Sequence, residues 1–185
     1  MSAPSGVVIE TARLRLRSLG EEDLGDLLAL IRDWEVARWL SSVPHPYDET
    51  DAIAWIASVQ VDHAAGRPRR FGIALKESGR IIGGVGLDGD AGDGAAEPAL
   101  GYWLGQPFWR SGYGSEAVSA MLDYGFRVLG LATIRAYTDP DNTASQKLLL
   151  RCGLKRAGDI ELATPTRNSG ARRAPLFRIS RPAVR

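Results

Sequence analysis

The stretch FWRSGYGSEA, residues 108–117, places Gly112 and Gly114 one residue apart, immediately before a run with helical spacing. Amides at a helix N-terminus lack intrahelical acceptors, and the helix dipole adds positive potential there. Glycine has no Cβ, so it lets such amides come close to a phosphate. The stretch therefore predicts either a diphosphate-binding loop or a plain helix-initiating turn, because a short glycine pattern is a weak signal alone.

The segments on either side of this loop predict a mixed fold. The strand ALGYWLG precedes it, and a helix follows from Gly114 to Leu129. Along the chain the predicted order is strand, two helices, three strands, helix, strand, helix and final strands. That order indicates an α/β or α+β domain whose sheet is not wholly parallel.

A second strand–helix unit follows the first. TIRAYTD, 133–139, predicts a strand, and NTASQKLLLRCG, 142–153, predicts a short helix with Asn142 at its cap and Gly153 just past its end. If the two strands are neighbours that diverge, a slot opens between them beside the glycine loop. Asn142 is then either an N-cap only or also a contact to the polar arm of a ligand.

Composition narrows the class of protein. The chain has 185 residues, a formal net charge of +1 and one cysteine, Cys152. This length fits one domain, and the charge gives no reason to expect nucleic acid or a membrane as a partner. A single cysteine excludes an internal disulfide framework, and MSAPSGVVIE lacks the layout of a secretion signal. We therefore expect a cytoplasmic protein.

Other phosphate and metal motifs carry little weight. The sequence has no P-loop. Gly84, Gly86 and Gly89 form a G-x-G-x-x-G, but they end a predicted strand and lead into the acidic segment DGDAGDGAAEP, 88–98. That segment lacks the twelfth-position glutamate of a calcium loop, where Ala99 stands. We expect a solvated surface loop and no metal.

Together, PALGYWLGQPFWRSGYGSEAVSAMLDYGF (98–126) and ATIRAYTDPDNTASQKLLLRCGLKRAG (132–158) resemble the acetyl-CoA-binding core of the GNAT superfamily of N-acetyltransferases. More narrowly, with IETARLRLRSLGEEDLGDLLALI (9–31), they resemble the branch of ribosomal-protein-alanine N-acetyltransferases. The resemblance covers about residues 8–182 and implies a single 1–185 acetyltransferase domain. It implies a mixed, largely antiparallel sheet of about seven strands with about four helices, splayed between the fourth and fifth strands.

The resemblance also implies a site for acetyl-CoA. The pyrophosphate would lie on the loop amides, and the pantetheine arm would lie along Gly101–Leu104, where a backbone N–H polarises the thioester carbonyl. An amine would then attack the acetyl group directly, without an acyl-enzyme. The implied acetyl-CoA-binding residues are Trp103, Leu104, Arg110, Ser111, Gly112, Tyr113, Gly114, Ser115 and Asn142.

The sequence departs from the family at the catalytic positions. The family's usual tyrosine acid, four residues before the Gly–Phe pair, corresponds to Leu149 here. Ser145 or water is then the candidate acid. The branch often has a glutamate where Ala99 stands, and Glu97 is either a shifted base or a surface residue. His45 is another possible base, although a turn residue is the plainer interpretation.

The acceptor is the open question. A peptide N-terminus is an easy acceptor because its pKa is about 7.7–8.0. A small-molecule amine, such as an antibiotic or an amino acid, is the alternative, and a CoA-binding sensor without turnover is a third. We expect a monomer or homodimer.

Overall fold

Eight strands and five α-helices build the part of the chain that the computed structural model describes, residues 6–88 and 97–182. The strands are β1 (Ile9–Glu10), β2 (Leu14–Arg17), β3 (Arg70–Leu75), β4 (Ile81–Asp88), β5 (Ala99–Leu104), β6 (Thr133–Tyr137), β7 (Lys155–Glu161) and β8 (Arg173–Ser180). The helices are α1 (Leu24–Ile31), α2 (Trp34–Ala37), α3 (Glu49–Ala64), α4 (Tyr113–Arg127) and α5 (Thr143–Arg151).

The strands form one sheet in the order β1-β2-β3-β4-β5-β6-β8-β7. All neighbouring strands are antiparallel except β5 and β6, which run parallel. In the described chain their register holds a single pair, Ala99 with Arg135. The predicted mixed, largely antiparallel sheet is therefore confirmed, and so is its splay between the strands at 99–104 and 133–137.

Helices cover both faces of the sheet. Alternate residues of a strand point to opposite faces, and β3 sends Phe71 to one apolar cluster and Ala74 to the other. The α4 helix buries Val118 and Met121 in the first cluster. The α1 and α3 helices fill the second cluster, where Leu27 is fully buried. The sheet is thus a rigid platform on which β5 and β6 diverge.

The segment GEEDLGDLLALIRDW, 20–34, predicts one helix, but the structure ends that helix at Ile31 and begins another at Trp34. A short 3-10 turn precedes α1, and Asp33 separates α1 from α2. Asp33 has the non-helical angles φ −59° and ψ 123°, and its side chain accepts a hydrogen bond from the Glu35 amide. An aspartate that caps a new helix ends the previous one. This break gives five α-helices instead of about four, and the short β1 gives eight strands instead of about seven.

Two further predictions concern the apolar face of α3 and the acidic loop after β4. The segment DETDAIAWIASVQVDHAAG, 48–66, predicts a helix with Ile53, Ile56, Val59 and Gln60 on roughly one stripe. In the structure Ile53 is exposed, while Ile56 and Val59 are buried. Most of the predicted acidic loop, 89–96, lies outside the described residues. Among the residues that are described, no helix combines the length and apolar character needed to cross a membrane.

Candidate active site

Two helices begin at the edge of the sheet where β5 and β6 separate. β5 leads through a short 3-10 turn into α4, and β6 leads into α5. Parallel strands end at the same edge of a sheet, and a gap between diverging strands is a common place for a ligand. The start of α4 packs against the second half of α5, since a Cβ on Gly114 would lie 2.7 Å from Leu148 Cδ1. The structure thus brings the two predicted units together.

The glycine loop reaches α4 through two left-handed residues. Arg110 has φ 60° and Gly112 has φ 82°, in the region that strains any residue with a Cβ. Upstream, the Trp109 indole Nε1 donates to the Leu104 carbonyl at 2.8 Å, which fixes the start of the loop against β5. Gly112 is therefore required by the turn itself, and its position just before α4 leaves the helix entrance open.

The N-terminus of α4 carries no side-chain cap in the described part of the chain. The first regular helix bond there runs from the Glu116 amide to the Gly112 carbonyl at 3.1 Å. Because a helix leaves its first amides without internal acceptors, those of Tyr113, Gly114 and Ser115 are available to a ligand. With the helix dipole, they form an arrangement suited to a phosphate.

The backbone of β5 presents alternate residues to the gap. The Arg135 amide donates to the Pro98 carbonyl on the β6 side, while the Gly105 amide donates to the Ile82 carbonyl on the β4 side. Backbone groups alternate along an antiparallel strand, so Tyr102 and Leu104 face the gap and Trp103 pairs with β4. A backbone hydrogen bond from Trp103 to a ligand in the gap, as predicted, is not compatible with that pairing.

The side chain of Trp103 lies on the face of the sheet that α1 and α3 cover. A Cβ on Gly84 would be 2.9 Å from Trp103 Nε1 and 3.0 Å from Trp55 Cη2, so the two indoles meet over this glycine. Gly101, on the same face, has no described atom within 4 Å of the position where its Cβ would be.

Asn142 caps α5, as the sequence predicts. Its Oδ1 accepts a hydrogen bond from the Ser145 amide at 3.0 Å. Its amide nitrogen has no hydrogen-bond partner among the described residues and remains a donor for other groups.

Tyr102 and Ser145 form a hydroxyl pair that the sequence analysis missed. Tyr102 Oη lies 2.7 Å from Ser145 Oγ. Burial is the main cause that raises the pKa of Tyr102 to about 12, against a smaller lowering effect of the hydrogen bond with Ser145. The phenol is therefore protonated at neutral pH and is able to donate a hydrogen bond. Tyr102 lies two residues before Leu104 on β5, so the backbone groups of both residues face the gap. This spacing is the sequence signal for the position of Tyr102.

Glu97 is held in an ion pair. Its Oε2 lies 2.8 Å from Arg178 Nε, on β8, and both side chains are partly exposed. This contact favours a structural role for Glu97.

One acidic side chain after β6 and one histidine between α2 and α3 are also engaged in contacts. Asp139 is buried and accepts hydrogen bonds from the amides of Asp141 and Ser169 and from Ser169 Oγ. Burial alone would raise the pKa of Asp139, but these hydrogen bonds lower it below its usual value. His45 stacks against Trp34, with ring centroids 5.1 Å apart. None of these contacts prepares a strong base.

Cys152 lies at the end of α5 against the first turns of α4. Its Sγ is 3.7 Å from the Ser115 carbonyl and 3.7 Å from Ser119 Oγ. Burial is the main cause that raises the pKa of this thiol, which makes it a poor nucleophile. Among residues 6–88 and 97–182, no group of three His, Cys, Asp or Glu side chains is arranged to hold a metal ion.

A known protein family and a known relative each match most of this chain. The model of the acetyltransferase (GNAT) domain family matches residues 13–155. The uncharacterized N-acetyltransferase p20 of Bacillus licheniformis is 36% identical over 149 residues, which is 80% of this chain and 82% of that protein.

Two solved structures have a similar fold. The ribosomal-protein-S5-alanine acetyltransferase of Vibrio fischeri superposes with a TM-score of 0.78 at 19% identity, covering 94% of this chain and 96% of that one. RimL, a ribosomal L7/L12 alpha-N-protein acetyltransferase in complex with coenzyme A, gives a TM-score of 0.75 at 15% identity, covering 94% and 98%.

Proposed function

The chain belongs to the GNAT acetyltransferase family and is an acetyl-CoA-dependent acyltransferase, and we propose that its acceptor is the α-amino group of a peptide or protein N-terminus. The observation that carries the proposal is the state of two acidic side chains that flank β5 and β6. Glu97 is in an ion pair, and hydrogen bonds lower the pKa of Asp139. An acceptor that needs little help from a base suits such a site.

In the proposed complex the pyrophosphate binds the loop amides from Arg110 to Ser115, at the uncapped start of α4. The pantetheine arm enters the gap between β5 and β6 and pairs with backbone groups of Tyr102 and Leu104. Asn142 donates its free amide N–H to that arm. Trp103, whose backbone pairs with β4, contributes only its indole.

The proposed reaction is a direct attack on the thioester. The amine nitrogen forms a bond to the acetyl carbon, and a β5 amide facing the gap stabilises the negative charge on the carbonyl oxygen. The C–S bond then breaks, and the nitrogen releases its extra proton to water. The departing thiolate takes a proton from Ser145, which Tyr102 supports through their hydrogen bond, and the pair recovers a proton from solvent.

The acceptor class follows from proton chemistry. An α-amino group has a pKa of about 7.7–8.0, whereas a lysine amine has a pKa near 10.4. At neutral pH roughly a tenth or more of the α-amine is already neutral and nucleophilic by that value. The name of the RimL neighbour describes such an acceptor for that protein, and it agrees with this choice.

A panel of acceptors tests the proposal. Initial rates with acetyl-CoA are measured for peptides with free N-termini, the same peptides with blocked N-termini and an internal lysine, amino acids and aminoglycosides. We expect transfer to free N-termini only. We also expect kcat/KM to rise with pH through the α-amine pKa and to stay level to about pH 10, because the pKa of Tyr102 is about 12. Transfer confined to small-molecule amines would refute the acceptor class and leave the enzyme class intact.

A further inference from the structure

The turn between β1 and β2 is bonded to the first turns of α4, about a hundred residues later. Glu116 Oε1 accepts hydrogen bonds from Thr11 Oγ1 at 2.6 Å and from the Arg13 amide at 2.7 Å. Its Oε2 lies 2.8 Å from Arg13 Nε, and the Glu116 side chain is largely buried. Three donors from one short turn therefore fix a single carboxylate at the start of α4.

The Arg13 side chain also contacts the glycine loop. Its Nη1 donates to the Ser111 carbonyl at 2.9 Å, and its guanidinium carbon lies 4.4 Å from the centroid of the Tyr113 ring. The C=O and N–H of a trans peptide point in opposite directions. Since Arg13 holds the Ser111 carbonyl on its own side, the Gly112 amide points away, toward the other side of the loop.

Charge gives Arg13 a second role. Burial alone would raise the pKa of Glu116, but the hydrogen bonds from Thr11 and Arg13 lower it, so Glu116 is ionised. A negative charge one turn from the open amides of α4 opposes a second anion there. The guanidinium of Arg13 balances that charge at contact distance.

We propose that Arg13 is a positioning residue for the glycine loop, anchored by Glu116. It turns the Ser111 carbonyl away from the ligand, leaves the following amide free for a phosphate, and neutralises the carboxylate beside that phosphate. This inference rests on the proposed function only in taking the glycine loop as the pyrophosphate site of CoA.

Arg13→Gln tests the inference, with Arg15→Gln as the matched control. Arg15 lies two residues further along, is as exposed as Arg13 (47% against 48%), and pairs with Glu10 without touching the loop. Calorimetry with CoA and with 3′-dephospho-CoA should show about tenfold weaker binding of both ligands to the Arg13 variant, the usual effect of losing one charge-assisted hydrogen bond. In transfer assays KM for acetyl-CoA should rise with kcat within about twofold, as for lost ligand binding.

A conservative variant separates positioning from simple charge. Arg13→Lys keeps the positive charge but loses the planar fork that joins Glu116 to Ser111, so we expect it to recover less than half of the lost affinity. Full recovery, unchanged affinity in a folded Arg13→Gln, or a loss confined to CoA with its 3′-phosphate would overturn the inference. Absence of CoA binding by the unmodified protein would instead overturn the assignment of the loop.

Discussion

The helices α4 and α5 both begin at the edge of the sheet where β5 and β6 separate, yet a side chain caps only the N-terminus of α5. The α4 helix starts after Gly112, with φ 82°, and no side chain of the described residues caps it. The α5 helix starts after Asn142, whose side chain accepts a hydrogen bond from the Ser145 amide. Glycine at the N-cap in place of a capping side chain costs only about a few tenths of a kcal/mol of helix stability. An uncapped start suits an anion that supplies the missing acceptors, and a capped start suits a helix that holds Ser145 in place.

The sharpest way to break this comparison is to close the open end of α4. Gly112→Asp adds a carboxylate where the phosphate is proposed to lie, and forces a side chain into the left-handed region, with its Cβ 3.2 Å from Arg13 Nη2. We expect calorimetry to show CoA binding weakened by at least about 100-fold, from charge repulsion and a displaced loop.

The control for this variant is Gly66→Asp. Gly66 has nearly the same φ, 81°, and no described atom lies within 4 Å of its Cβ position, so it carries the backbone strain without the ligand. Both variants should lose stability to the left-handed φ, and Gly66→Asp should lose more, because its carboxylate lies just past the C-terminus of α3 whereas that of Gly112→Asp lies at the N-terminus of α4. Only Gly112→Asp should lose CoA. A folded Gly112→Asp protein that binds CoA normally would show that the loop is only a helix-initiating turn.

Loss of the hydroxyl pair formed by Tyr102 and Ser145 is expected to have the next largest effect, on kcat. Ser145→Ala and Tyr102→Phe should each lower kcat by about 10- to 100-fold, with a smaller change in KM for acetyl-CoA, because both remove proton donation to the thiolate. The double variant should be no slower than the slower single variant, since the two hydroxyls act as a unit.

Tyr137→Phe, which removes an exposed hydroxyl from the neighbouring β6, serves as the control and should leave kcat unchanged. Should both Ser145→Ala and Tyr102→Phe keep the unmodified kcat from pH 6 to 9, water is the acid and the pair is structural.

Removing the cap of α5 is expected to have a smaller effect than removing the hydroxyl pair. Asn142→Ala should reduce the free energy of unfolding by about 1 kcal/mol and raise KM for acetyl-CoA several-fold, with kcat within about twofold. Asp48→Ala is the matched control, because Asp48 caps α3 through the Asp51 amide at 2.9 Å. Denaturant unfolding should show similar losses for the two variants. An equal KM in both would mean that Asn142 is a cap only.

The smallest effect is expected at Glu97. Because the ion pair with Arg178 is partly exposed, Glu97→Gln should change stability by under about 1 kcal/mol. The same variant should change kcat/KM by less than about twofold, since the Glu97 carboxylate is bound to Arg178 on β8. A large fall in kcat with loss of the acidic limb of the pH profile would instead establish Glu97 as the base.

Local patterns made much of the fold and site predictable. The glycines before α4 and the cap at Asn142 depend on a few neighbouring residues, and the sequence shows both. The orientation of Tyr102 depends on which neighbour each residue of β5 pairs with, a property of the assembled sheet. The bonds between Arg13 and Glu116 join positions far apart in the chain, which spacing alone does not reveal. The break at Asp33 was missed because the apolar spacing from Leu24 to Ile31 does not show which residue ends the helix.

The single register pair between β5 and β6 also affects hydrogen exchange in the sheet. On one side of this seam lie β1 to β5, and on the other β6, β8 and β7, each an antiparallel ladder with several paired residues. One apolar cluster packs across this seam, so the two ladders stay together, but backbone amides that face the gap lack a partner strand and are expected to exchange their hydrogens faster than amides inside either ladder. A substrate lying in the gap would join the two ladders, and the same contacts that bind it would slow exchange across the seam.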